Sequence, residues 1–270
     1  MKDLEAATTD HPPILVYTMG KVGSLSVAES LLRAEIDNPV YHLHYIAGET
    51  PERLKRRLRI RGYKQNPYYH APEAIRAFLY ETPNPIRFPW KIITLAREPI
   101  VRRLSAYFHM PQLVGGHPTD EMGRFIQERA LEFLSQELRR PNAFVYSRGW
   151  FDAELKTVFD VDVLSLPFDK KEGFAIHHAP KADVLVMTQE KLAEVFDRAI
   201  VQLLPFDKPP DLPRVNTGDA RLNALAYRWV KERFRLEEDL LRQIYSHKSV
   251  THFYDEETIE NWVQYWSSPD

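Results

Sequence analysis

The apolar run Ile14-Leu15-Val16-Tyr17-Thr18-Met19 follows Pro12-Pro13, and its length and β-branched content predict a short strand buried on both faces. Gly20-Lys21-Val22-Gly23-Ser24 interrupts it, and Ser26-Val27-Ala28-Glu29 reads as a capping box that opens a helix. Leu25, Ala28, Leu31 and Leu32 give that helix one apolar face. Further strands are predicted over Pro39–Ile46, Lys91–Arg97, Val161–Leu166 and Val184–Thr188. Helices are predicted over Glu52–Lys64, Ile100–Met110, Asp120–Arg139, Gln189–Leu204, Arg221–Tyr245 and Asp255–Trp266, with a loop at Gly115-Gly116-His117-Pro118.

Strands that alternate with helices predict an α/β protein, a central parallel sheet with helices on both faces. Pro205–Pro213 is rich in proline but reads as a loop inside one domain, because the residues after it lack the strands of a second α/β core. The expected organisation is therefore a flexible N-terminus, 1–12, and a single domain over 13–267.

Composition narrows the chemistry. The 270 residues include no cysteine, which removes thiolate metal sites, iron–sulfur clusters, disulfides and a cysteine nucleophile. Thirty-six Lys and Arg against 38 Asp and Glu leave a net charge of −2, so a globally basic nucleic-acid binder is not expected. No stretch approaches a membrane span, and Met1–Pro13 lacks the basic-then-apolar order of a signal peptide. These features together favour the cytoplasm.

The sharpest local signal is Thr18-Met19-Gly20-Lys21-Val22-Gly23-Ser24-Leu25-Ser26, between a strand and a helix. A turn there points successive backbone N–H groups into one concavity at a helix N-terminus, a nest for phosphate or sulfate. Gly20 and Gly23 permit unusual dihedrals, Lys21 adds a point charge, and Ser24 and Ser26 offer hydroxyls. It is not a Walker A loop: Leu15 stands where the first glycine belongs, and Val22 where a magnesium-binding hydroxyl belongs. The plain alternative is a βα turn with an incidental lysine.

Arg97 ends a predicted strand, and Ser105 follows eight residues later in the next helix. In an open parallel sheet, ligands collect outside the carboxyl ends of the strands. A guanidinium and a hydroxyl there suit a second phosphate group. Taken alone, Arg97 reads more readily as a strand-end arginine paired with Glu98 or a nearby carboxylate; the combination with Ser105 and the lysine loop is what favours a phosphate site. Arg53–Lys64 carries seven Lys or Arg and no acid; it is either a solvated basic face or the lining of a cleft for an anionic substrate. His177-His178 resembles a metal pair, but adjacent strand residues face opposite sides, so no metal is expected.

A strand, then Lys-x-Gly-Ser at a helix start, then a second strand leading into Arg-x-Pro with Ser eight residues after the Arg, resembles the sulfotransferases. Those enzymes use 3′-phosphoadenosine 5′-phosphosulfate (PAPS). The resemblance implies a P-loop nucleotide-hydrolase-like three-layer sandwich. It also implies that Lys21, Val22, Gly23, Ser24, Leu25 and Ser26 bind the 5′-phosphosulfate, and that Arg97 and Ser105 bind the 3′-phosphate. Arg148-Gly149-Trp150-Phe151-Asp152, Glu154-Leu155, Phe159-Asp160-Val161-Asp162-Val163, Pro167-Phe168-Asp169-Lys170, Val184–Leu192 and His252-Phe253-Tyr254 resemble the bacterial capsular polysaccharide synthesis branch with its Asn-Lys-Trp-Tyr-Ser motif. Only Trp150 of that motif is identical here, and it is the candidate to stack on adenine.

On this reading the chain moves a sulfuryl group from PAPS to a hydroxyl on a carbohydrate or polysaccharide, without a metal, and releases adenosine 3′,5′-bisphosphate (PAP). Lys21 is expected to stabilise the leaving oxygen. The base is expected on the second strand, where His42 and His44 share a face; His44 is preferred, His42 second, and Glu49 a further candidate. Both histidines also fit as half-buried strand residues bonded to backbone. Two other classes stand beside this one. A nucleotide kinase or hydrolase needs a magnesium-binding Ser or Thr after the lysine and a carboxylate ending a strand. A non-catalytic relative would hold nucleotide or polyanion with its basic helix. Neither the acceptor nor the oligomeric state is written in the sequence.

Overall fold

The computed structural model describes residues 5–7, 10–34, 36–47, 71–109, 119–120, 125–213 and 224–267. They form two compact units, Met1–Ala96 with Gly149–Pro213, and Arg97–Arg148 with Arg214–Asp270.

The first unit holds five strands: β1 (Ile14–Tyr17), β2 (Val40–Leu43), β3 (Trp90–Ala96), β4 (Phe174–His178) and β5 (Ala182–Thr188), in the sheet order β2-β1-β3-β5-β4. The first four neighbours pair in parallel, and β4 runs antiparallel to β5. All four residues of β1 are buried, as are all but one each of β3 and β5. Successive side chains on a strand face opposite sides, so unbroken burial means that both faces of the sheet are covered. The expected α/β class with a mostly parallel central sheet is what the chain adopts, in the manner of a three-layer sandwich.

From β1 the chain passes through helix α1 (Ser24–Arg33) to β2 on one side, and later returns to β3 on the other. The carboxyl end of β1 is therefore a switch point, where connections diverge and leave a crevice. Helix α1 begins two residues before the expected capping box. Gly23 takes the N-cap position in a left-handed conformation, and the Ser26 amide donates back to its carbonyl at 3.2 Å.

Three further differences have physical causes. Val161–Leu166 is not a strand: Val163–Ser165 coils into a 3₁₀ turn as the Ser165 and Leu166 amides donate to the Asp162 and Val163 carbonyls. Strand β4, absent from the sequence reading, is joined to β5 by a two-residue turn in which Ala179 and Ala182 exchange backbone bonds of 3.0 and 3.3 Å. In the second unit, Arg221–Tyr245 is not one helix: Ala224–Arg233 and Glu238–Tyr245 are separated because Phe234 and Leu236 are fully buried, and the Leu236 amide donates to the Trp266 carbonyl at 2.9 Å. Among the described residues, no helix is long and apolar enough to cross a membrane.

Candidate functional site

The turn after β1 is held in an uncommon shape. Lys21 has φ of 71° and Gly23 φ of 86°, with the fully buried Val22 anchoring the loop between them. The left-handed region costs a residue with a side chain on the order of 1 kcal/mol, so Lys21 occupies it against its preference. At Gly23 a Cβ would meet Gln189 Cγ at 3.2 Å, whereas at Gly20 nothing lies within 4 Å. Only the second glycine is demanded by space and dihedral. Gly23, at the N-cap of α1, supplies no side-chain cap to the first amides of the helix. Ser24 is buried, while Leu25 and Ser26 are partly so.

The loop and the end of β2 meet through two histidines. Ser24 Oγ lies 2.9 Å from His42 Nε2, and His44 Nδ1 lies 2.8 Å from the Thr18 carbonyl oxygen. The two rings sit edge to face, 5.0 Å between centroids. Burial, helped by His44, lowers the His42 pKa to about 3, so this ring is neutral at pH 7. His44 is also held below the ordinary value, by burial first; the nearby Lys21 ammonium adds to this, and the bond to Thr18 opposes it. A carbonyl only accepts, so the neutral His44 carries its proton on Nδ1 and keeps a lone pair on Nε2. The expected face-sharing of His42 and His44 is present, and it brings them to Ser24 and Lys21.

Beneath His44 the chain is tied to the segment that follows Gly149. Trp150 Nε1 donates to the His44 carbonyl at 2.9 Å. The indole is 2% exposed and lies edge-on to Tyr17 and Phe151, so its place is in the core, supporting the strand end. One turn on, Glu154 is buried in a π-helical stretch, Phe151–Lys156. Its Oε2 accepts from the Ile46 and Ala47 amides at 2.8 and 2.9 Å and from the Tyr17 hydroxyl. Burial and that carboxylate push the Tyr17 phenol upward, so it remains a donor.

Arg97 and Ser105 belong to the second unit. Arg97 is half-buried, and Ser105 is 5% exposed on the helix Pro99–His109. Glu98 starts that helix: its buried carboxylate accepts from the Ile100 amide at 2.9 Å, from the Val101 amide and from the Tyr245 hydroxyl. Proline at the next position gives up no helical bond. Glu98 thus caps the helix at its first turn.

Glu49, Arg53–Lys64 and the Gly115–Pro118 loop lie outside the described residues. His177 and His178 do face opposite ways: His177 is 8% exposed, whereas His178 is open to solvent with its Nδ1 2.7 Å from Asp183. Among the described residues, no group of three or more His, Asp or Glu is placed to hold a metal ion. Sequence reasoning passed over the role of Glu154, whose partners lie 107 to 137 residues away along the chain. Its one signal in the sequence is the place of Glu154-Leu155 among the stretches that resemble the capsular polysaccharide synthesis branch.

Residues 128–255 match the model of a family described as "Putative capsular polysaccharide synthesis protein". No curated protein matches the chain, and no solved structure does.

Proposed function

We propose that the chain transfers a sulfuryl group from PAPS to a hydroxyl of a carbohydrate or polysaccharide. The observation that carries the reading is the meeting of a lysine-bearing, left-handed loop with a histidine whose Nε2 keeps a lone pair. An anion cradle beside a neutral base is what this transfer asks of a protein. The matched family's description supports a polysaccharide as the acceptor class.

When bound, PAPS supplies a sulfur whose bond to the 5′-phosphate oxygen breaks as the acceptor oxygen attacks. Amides of the Gly20–Ser26 loop and the Lys21 ammonium receive the 5′ end, and Lys21 offsets the charge that builds on the leaving oxygen. His44 Nε2 takes the proton of the acceptor hydroxyl. His42 holds Ser24 in place within the loop. Arg97 and Ser105 are proposed for the 3′-phosphate on the resemblance alone. Trp150 enters as support for His44 and not as the stacking aromatic.

The test is incubation of the full chain with ³⁵S-labelled PAPS and a panel of neutral and acidic polysaccharides. Label in polysaccharide, lost in Lys21→Ala and His44→Asn, is the expected result. Absence of label with magnesium-dependent ATP turnover would place the chain among kinases or hydrolases instead.

A further inference from the structure

The pairing of β1 with β2 ends at Tyr17 and Leu43, closed by the Thr18 amide on the Leu43 carbonyl at 3.1 Å. His44 is the first residue beyond that ladder. Backbone past the end of a sheet needs other partners to stay in one place. Here both the backbone carbonyl of His44 and the amides two and three residues on are claimed by side chains of one short segment: Trp150 Nε1 on the carbonyl, Glu154 Oε2 on the Ile46 and Ala47 amides. Trp150 and Glu154 are four apart, so they lie on one side of their helix. Trp150 ends an α-helical turn and Glu154 lies in the π-helical turn that follows it, Phe151–Lys156, a distortion frequent at functional sites. Tyr17, the last residue of β1, completes the clamp through its hydroxyl on the same carboxylate.

We infer that Trp150 and Glu154 are positioning residues for the base: they fasten the chain at the carbonyl of His44 and at the amides of Ile46 and Ala47, so that the His44 ring stays on the Thr18 carbonyl. The role as base rests on the proposed sulfuryl transfer; the fastening does not. A charged carboxylate accepting three donors is stronger than a neutral amide in the same place. Glu154→Gln therefore loosens the clamp without emptying the space, and Trp150→Phe removes the indole donor while keeping an aromatic ring.

The experiment is ¹⁵N NMR of the histidine rings in the full chain, recorded from pH 4 to 8 for the parent and both variants. In the parent, His44 is expected as one tautomer, protonated on Nδ1, titrating below the ordinary value of about 6.5. In each folded variant a mixture of tautomers and a midpoint moved toward that value are expected. In the labelled-PAPS assay, kcat should fall by about tenfold or more with PAP affinity within about twofold. Variants that lose thermal stability while His44 keeps its tautomer and midpoint would show a merely structural role and overturn the inference. Should the parent transfer no sulfuryl group, the NMR result still decides the fastening, and only the proposed function falls. If Glu154→Gln does not fold, Trp150→Phe decides alone.

Discussion

His44 Nδ1 sits 2.8 Å from the carbonyl oxygen of Thr18, the residue that leads from β1 into the lysine-bearing loop. One bond therefore links the strand end to the loop and leaves the second ring nitrogen as an acceptor. The proton-accepting atom of the proposed reaction is defined by the shape of the loop itself.

His44→Asn keeps a polar side chain but removes the base. Sulfuryl transfer should fall by about a hundredfold to ten-thousandfold, with PAP binding changed little. Steady-state kinetics beside calorimetric PAP titration check this. A loss of both together would mean that His44 belongs to the donor site instead.

The pH–rate profile should show an acid limb below pH 6.5. The folded pKa of His44 is lowered, so the lone pair persists at neutral pH and is lost only as pH falls through that lowered value. Lys21 contributes to the lowering, so Lys21→Ala should move the limb upward toward the ordinary value. Rates of the parent from pH 4 to 8 locate the limb, and ¹⁵N NMR of the His44 ring over the same range in both proteins tests the shift.

His42 links the site to stability. Its folded pKa of about 3 lies below the unfolded value, so the unfolded chain binds the extra proton first. The favourable difference is complete above about pH 6.5 and is lost progressively as pH falls toward about 3. Urea midpoints across that window should drop less steeply for His42→Gln than for the parent.

The two loop glycines should separate cleanly. Gly23→Ala places a Cβ at φ of 86° and 3.2 Å from Gln189 Cγ, and should cost about 1–2 kcal/mol of stability and weaken PAP binding. Gly20→Ala meets nothing within 4 Å and should leave both properties near the parent's. Thermal melts and PAP titrations of the pair check this.

The sheet was legible where burial is continuous. Ile14–Tyr17, Trp90–Ala96 and Ala182–Thr188 are apolar runs, and a run covered on both faces announces itself without any alternation. Phe174–His178 escaped because an edge strand with two histidines carries no such run. In Val161–Leu166 an apolar composition imitated a strand, while the Asp162 carbonyl drew the chain into a turn. The lysine loop and the histidine pair could be read because each is local. The clamp of Glu154 on Ile46 and Ala47 could not, because its donors are backbone amides and a pattern of side chains does not record them.

The Gly20–Ser26 loop is the proposed seat for the donor's anionic end. Calorimetric titration of the full chain with PAP tests that most directly. One PAP per chain is expected, with affinity reduced by about tenfold or more in Lys21→Ala, where a charge-assisted contact is lost. No heat up to millimolar PAP, or equal affinity in the parent and in Lys21→Ala, would contradict it.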